Sequence, residues 1–232
     1  MKSNTLRKTI LIASIPFLLF GCSKTLSNDE LLHKAYLDSI EVTSEKIRPL
    51  VNLTKEDSNV TWNEAGDKVL LFTFHRFPTS YPEGETITTT WGDSWLCSVK
   101  EYESWHEANK GNIEDLLLRT KQVLGMSHES KNTYISSLWF NPKDISRPAY
   151  VTDPTKPMTT SFSEDETEEY KTWFANQYYY SYDVSHLPWT RLGYTYDWSA
   201  QAKDRYGLSE FIAWKGTTAT VERTCLVTEY FK

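Results

Sequence analysis

Apolar and polar positions along this chain recur with different periods, and each period predicts a different element. At the start, Lys2, Arg7 and Lys8 precede a nearly uninterrupted apolar run, Thr9 to Phe20. That run is 12 residues long, against roughly 20 for a helix that crosses a bilayer. Next, Ser27 stands three residues before Glu30, a capping-box pattern. Leu31, Leu32, Ala35, Tyr36 and Ile40 follow at three-to-four spacing, which predicts a helix over 28–47 that Pro49 stops.

The pattern then tightens. Lys68 to Phe77 is apolar at almost every position, the signature of a strand buried on both faces, ended by Pro78 and the Tyr81-Pro82-Glu83-Gly84 turn. Thr86–Trp91 and Ser94–Val99 read as two strands of a hairpin around Gly92-Asp93. Helical spacing returns over 100–108 and, past Gly111, over 112–124, with Gly125 as C-cap. Tyr134–Phe140 is a strand. Four prolines between Asn141 and Thr160 make that stretch a loop. Ser163 and Glu166 form a second capping box, predicting a helix to Tyr180. Tyr206–Trp214 and Thr217–Tyr230, joined by Lys215-Gly216, read as a closing antiparallel hairpin. Strands and helices do not alternate regularly. The expected fold class is therefore α+β, a mainly antiparallel sheet with helices packed on one side. It forms a single domain, residues 49–232, after an N-terminal helix over 28–48.

Leu19-Phe20-Gly21-Cys22 closes the first apolar run. Basic start, short apolar run and small residue before the break together have the layout of an export signal. The closing tetrad resembles the lipobox of bacterial lipoproteins, and the resemblance covers residues 1–22 alone. It implies that residues 1–21 are a signal peptide, that Cys22 receives acyl chains such as palmitate, and that residues 22–27 form a lipidated tether. It also implies a cell-envelope location on a bacterial membrane. Ser23 follows the cysteine where an aspartate would retain the protein inside, so the sorting rule points to the outer membrane where the cell has one.

Composition narrows the partners. Without residues 1–21 the chain has 22 basic against 31 acidic residues. Such a surface repels phosphate backbones and anionic headgroups, which excludes nucleic-acid binding by bulk charge and leaves membrane attachment to the lipid. Nine Trp and 14 Tyr in 232 residues supply material for a core and for a binding face. After Cys22 two cysteines remain, Cys97 and Cys225, either a disulfide, which an exported compartment permits, or two free thiols. No cysteine or histidine spacing suggests a metal site, and phosphate-loop and dinucleotide fingerprints are absent, so no cofactor is expected.

Three groups are candidates for binding. His75 and Arg76 end the strongest strand, where loops build sites. Tyr194, Tyr196 and Trp198 share one face if extended, a stacking platform edged by Arg191 and Asp197, or else a core face. Arg147 and Asp153 sit in the proline loop. Catalytic residues are not legible: no Gly-x-Ser-x-Gly elbow occurs, and Glu101 and Glu103 carry no spacing that singles them out. The expected function is a lipid-anchored, non-catalytic binding module for a peptide, protein or glycan of the envelope. The alternative is a membrane-tethered hydrolase using His75 with Asp153 or Asp197.

Overall fold

The computed structural model describes residues 25–232, so the expected signal peptide, the lipobox and Cys22 lie outside the described residues. Among the described residues no helix is long and apolar enough to cross a membrane.

Helix α1 (Asn28–Ile40) begins as its capping box predicts: Ser27 Oγ accepts from the Glu30 amide at 3.2 Å, and Glu30 accepts from the Ser27 amide at 2.8 Å. It stops seven residues before the expected end. Its last carbonyls are taken by two cations, Lys46 Nζ on Asp38 O at 2.6 Å and Arg191 Nη2 on Ser39 O and Ile40 O at 2.9 and 2.6 Å. Positive charge at a helix C-terminus is favoured by the dipole, and Val42 and Ile47 beyond it turn into an apolar cluster around Leu192.

Eight strands form one sheet: β1 (Val69–His75), β2 (Thr86–Thr88), β3 (Ser94–Ser98), β4 (Tyr134–Phe140), β5 (Ile145–Ser146), β6 (Tyr194–Tyr196), β7 (Tyr206–Ala213) and β8 (Thr218–Leu226). The order is β2-β8-β4-β1-β3-β7-β5, with β6 paired to β7, and every pairing is antiparallel. The remaining helices are α2 (Val99–Asn109), α3 (Leu116–Val123) and α4 (Glu168–Tyr179). The fold is α+β with a mainly antiparallel sheet, as the pattern predicts.

Two expected hairpins do not form. β2 pairs β8, where Thr86 and Thr88 meet Thr220 and Thr218 side by side, and Gly92 at φ 148° lets the chain leave toward β3. β7 and β8 are joined by a four-residue turn closed by Thr217 N on Trp214 O at 3.0 Å, yet three strands lie between them. At about 4.8 Å per strand a flat sheet would hold them too far apart for that turn, so the sheet curls. What drives the curl is apolar. Phe211 and Ala213 of β7, Ala219 and Val221 of β8, and Leu71, Leu138 and Phe140 between them all bury into one cluster. Val51, Leu53 and Trp62 close that cluster from the segment after α1. The opposite face carries Phe72, Ile135 and Leu208 against Tyr102 of α2 and Leu116, Leu117 and Val123 of α3. Gly125, at φ 66°, ends α3 with Met126 N on Lys121 O and Gly125 N on Gln122 O, the paired bonds of a Schellman stop. The second capping box does not form, because Glu166 turns to Thr152, accepting from its amide and hydroxyl at 3.0 Å, and α4 starts under Thr167 instead.

Candidate ligand pocket

The sheet has a gap. β1 and β4 pair along seven residues, but β1 and β3 pair only at Leu71↔Ser98 and Phe72↔Cys97. Continuing that register would set Phe74 opposite Trp95 and His75 opposite Ser94, and there the strands part. Asn132 Nδ2 donates to the Phe74 carbonyl at 2.8 Å, occupying a backbone acceptor that the ladder leaves open. Between the lips lies a cavity of about 430 Å³, lined by Phe74, Tyr81, Trp95, Trp189 and Glu210 among others. That volume is within the range of small-molecule sites. Phe77, Trp91 and Tyr180 also line it and are 55%, 50% and 55% exposed, so aromatic edges stand at the mouth.

One wall is held in an unusual conformation. α4 widens into a π turn at Tyr180–Val184, a form that concentrates at functional sites. The segment Leu187–Thr190 then runs between two left-handed non-glycine residues, His186 at φ 50° and Arg191 at φ 62°. Each costs on the order of 1–3 kcal/mol and persists only where surrounding contacts hold it. Here they do. Arg191 is fixed on the α1 carbonyls and lies 5.0 Å from the Tyr182 ring centre, while the Tyr182 hydroxyl donates to Ser39 O and Trp189 O. His186 meets the Tyr36 ring edge-on at 5.2 Å. Helix α1 thus braces the wall that carries Trp189.

Chemically the pocket is aromatic and acidic. Its lining contains two carboxylates, Asp93 and Glu210, and no lysine or arginine. Asp93 is engaged, accepting from the Lys215 amide at 2.9 Å and Trp173 Nε1 at 3.1 Å. Glu210 is not. Its carboxyl lies deep in the protein, and burial pushes it up to about 8, with no hydrogen bond to draw it back. Glu210 nonetheless keeps accessible surface, as a residue at a pocket floor does. Two buried polar atoms on the lining have no hydrogen-bond partner: Glu210 Oε2 and Trp189 Nε1. Such atoms are rare in native interiors and each carries a desolvation cost.

Catalytic chemistry is poorly served here. Burial, then the nearby Glu210 and Glu101 carboxyls, hold the Cys97 thiol well above its ordinary range, so it stays protonated and a weak nucleophile. Burial also pushes His75 down to about 4, so the ring is neutral. Its Nδ1 accepts from the Phe77 amide at 3.1 Å, which assigns the proton to Nε2. Nε2 donates to Ser136 Oγ at 2.8 Å, Ser136 meets Thr224 Oγ1 at 2.7 Å, and Thr224 donates to Tyr81 O at 2.7 Å. The chain of bonds ends on a backbone carbonyl, and His75 has no carboxylate partner. Asp153 caps a turn at Thr155, and Asp197 forms a bidentate pair with Arg119 at 2.9 and 2.5 Å.

The candidates singled out in the sequence do not assemble into one site. His75, Tyr194 and Tyr196 line the pocket. Arg76 is exposed beside it, 4.8 Å from the Phe77 ring centre. Arg147 is fully buried elsewhere, donating to Val51 O, Asn52 Oδ1, Asp153 O and Lys156 O at 2.9–3.0 Å. Arg191 and Asp197 are spent on the contacts above. Tyr194 and Tyr196 form no open platform: their hydroxyls reach Lys46 O and Asp38 Oδ2, both at 2.9 Å, and so dock the segment after α1 and α1 itself. Glu101 accepts from Ser209 N and Oγ at 2.7 and 3.0 Å, and Glu103 pairs Lys100 at 3.6 Å on the surface. Cys97 and Cys225 are free, on β3 and β8 with β4 and β1 between them, roughly 14 Å at ordinary strand spacing and beyond disulfide reach. Glu210, Trp189, Trp95 and Ser94 were not singled out. The one available signal was Glu210 itself, an acid inside the apolar run Leu208–Ala213.

Comparison with family models, curated proteins and solved structures gives no match. The site therefore has to be read from its own chemistry.

Proposed function

We propose that this chain is a bacterial cell-envelope lipoprotein, anchored through acylated Cys22, whose α+β domain is a non-catalytic binding module with the β1–β3 pocket as its ligand site. The observation that carries the reading is the pair of unpartnered polar atoms, Glu210 Oε2 and Trp189 Nε1, on an aromatic pocket with an exposed aromatic mouth. A ligand that supplies their missing bonds recovers what the empty site forgoes. At about 430 Å³ the pocket accepts a small molecule or one residue of a larger envelope partner.

A neutral fluorescent probe, N-phenyl-1-naphthylamine, tests the pocket. Saturable one-to-one binding is expected, weakened about tenfold by Ser94→Phe, which fills the gap, and by less in Trp91→Ala at the mouth. Binding that does not saturate, or that neither variant changes, overturns the pocket reading. Anchoring is tested apart from this, by mass spectrometry of the protein from membranes: an acylated Cys22 at the N-terminus is expected, and an unmodified one overturns the anchor.

A further inference from the structure

The pocket floor selects by charge. Glu210 is placed on β7 opposite Cys97 of β3, deep inside and without a cationic neighbour on any wall. Ordinary proteins pair a buried carboxylate with arginine or lysine. Among the described residues no lysine or arginine stands on this lining. The same lining carries Phe74, Tyr81, Trp95 and Trp189, aromatic rings whose faces attract cations. Oε2 of Glu210 lacks a donor.

We infer that the pocket binds an organic ammonium ion, its N–H donated to Glu210 and its apolar body enclosed by the tryptophan and tyrosine rings. The inference rests on the binding-module reading of the same pocket. An arriving ammonium stabilises the carboxylate form, so Glu210 loses its proton to solvent as the ion pair forms. The pair is then charge-assisted and screened from water, the setting in which such bonds are strongest. A metal ion is disfavoured, because one free carboxylate and a ring of apolar walls supply too few oxygen ligands. An anionic ligand would meet Glu210 and Asp93 with no cation to offset them.

One aromatic body in three charge states provides the test: 2-phenylethylamine, 2-phenylethanol and phenylacetate, titrated against the folded protein by tryptophan fluorescence. The amine is expected to bind about tenfold more tightly than the alcohol, and phenylacetate more weakly than either. Glu210→Gln, which keeps the side-chain shape, is expected to bring amine and alcohol within about threefold of each other. A Phe-Ala amide dipeptide separates the sources: tighter binding than the free amine assigns the ammonium to a peptide terminus, weaker binding to a free amine. If the alcohol or phenylacetate matches the amine, or Glu210→Gln leaves the preference intact, the ammonium inference is overturned while the naphthylamine result still supports a pocket. If no probe saturates, both fall together.

Discussion

Two ionisable groups are buried within this fold on opposite terms. Arg147 is wholly enclosed, and four acceptors from two segments, at Val51, Asn52, Asp153 and Lys156, take its two terminal nitrogens, leaving Nε alone without a partner. Burial pushes it down to about 10, still cationic at neutral pH. Glu210 is almost as deep, and no group of the protein offsets its desolvation. The first arrangement is architecture, since the arginine ties the proline loop to the segment after α1. The second lacks any structural benefit, and an unpaired acid in a core is normally removed or neutralised. That asymmetry is why the pocket, rather than the arginines picked out from the sequence, is the candidate site.

The comparison breaks first at Arg147. Arg147→Met strands four buried acceptors and is expected to cost about 4 kcal/mol in urea unfolding; a loss under about 1 kcal/mol would show the guanidinium is not a structural tie. Arg119→Leu isolates the buried Asp197 carboxylate and is expected to cost about 3 kcal/mol by the same measurement. Glu210 behaves the other way, and its sign follows from linkage. Its folded value, about 8, lies above its ordinary 4.5, so the folded state holds the proton more tightly. Its contribution is intact below pH 4.5 and is lost as pH rises through 8. The loss is on the order of 2 kcal/mol, less than a fully enclosed acid would show because the pocket admits solvent. Glu210→Gln should abolish that part of the decline. A residual fall between pH 4.5 and 7 belongs to Glu101, which burial pushes up to about 7 against the two Ser209 bonds. Parallel wild-type and variant pH profiles would remove Glu210 from the account. The smallest effect is expected from reductant: with Cys97 and Cys225 free, dithiothreitol should leave Tm unchanged within about a degree, whereas loss of a disulfide costs about 2–5 kcal/mol.

Much of the local structure was legible because its causes are local. The Ser27–Glu30 box, the Gly125 stop, the apolar run of β1 and the span of β4 each depend on neighbours a few residues away. Where a distant group competed, reading failed. Arg191 shortened α1, and Thr152 drew Glu166 out of its expected cap. Both expected hairpins looked sound as turns, but strand partners are chosen by which apolar faces must meet, and that sum runs over the whole sheet. The arginines, Asp197 and the tyrosine row were visible as polar and aromatic residues in suggestive company. Their partners, up to 158 positions away in the chain for Tyr196 and Asp38, were not.

By itself the sequence determined the α+β class, most element positions and a strongly acidic, aromatic-rich body. These follow from residue type and short-range periodicity, which unfolded and folded chains share. Only the tertiary structure decided that β1 and β3 separate after two pairs, that Glu210 faces the gap, and that no lysine or arginine among the described residues lines it. Whether a buried carboxyl is paired depends on three-dimensional neighbours and on the dielectric they create, neither of which exists until the chain has closed around it.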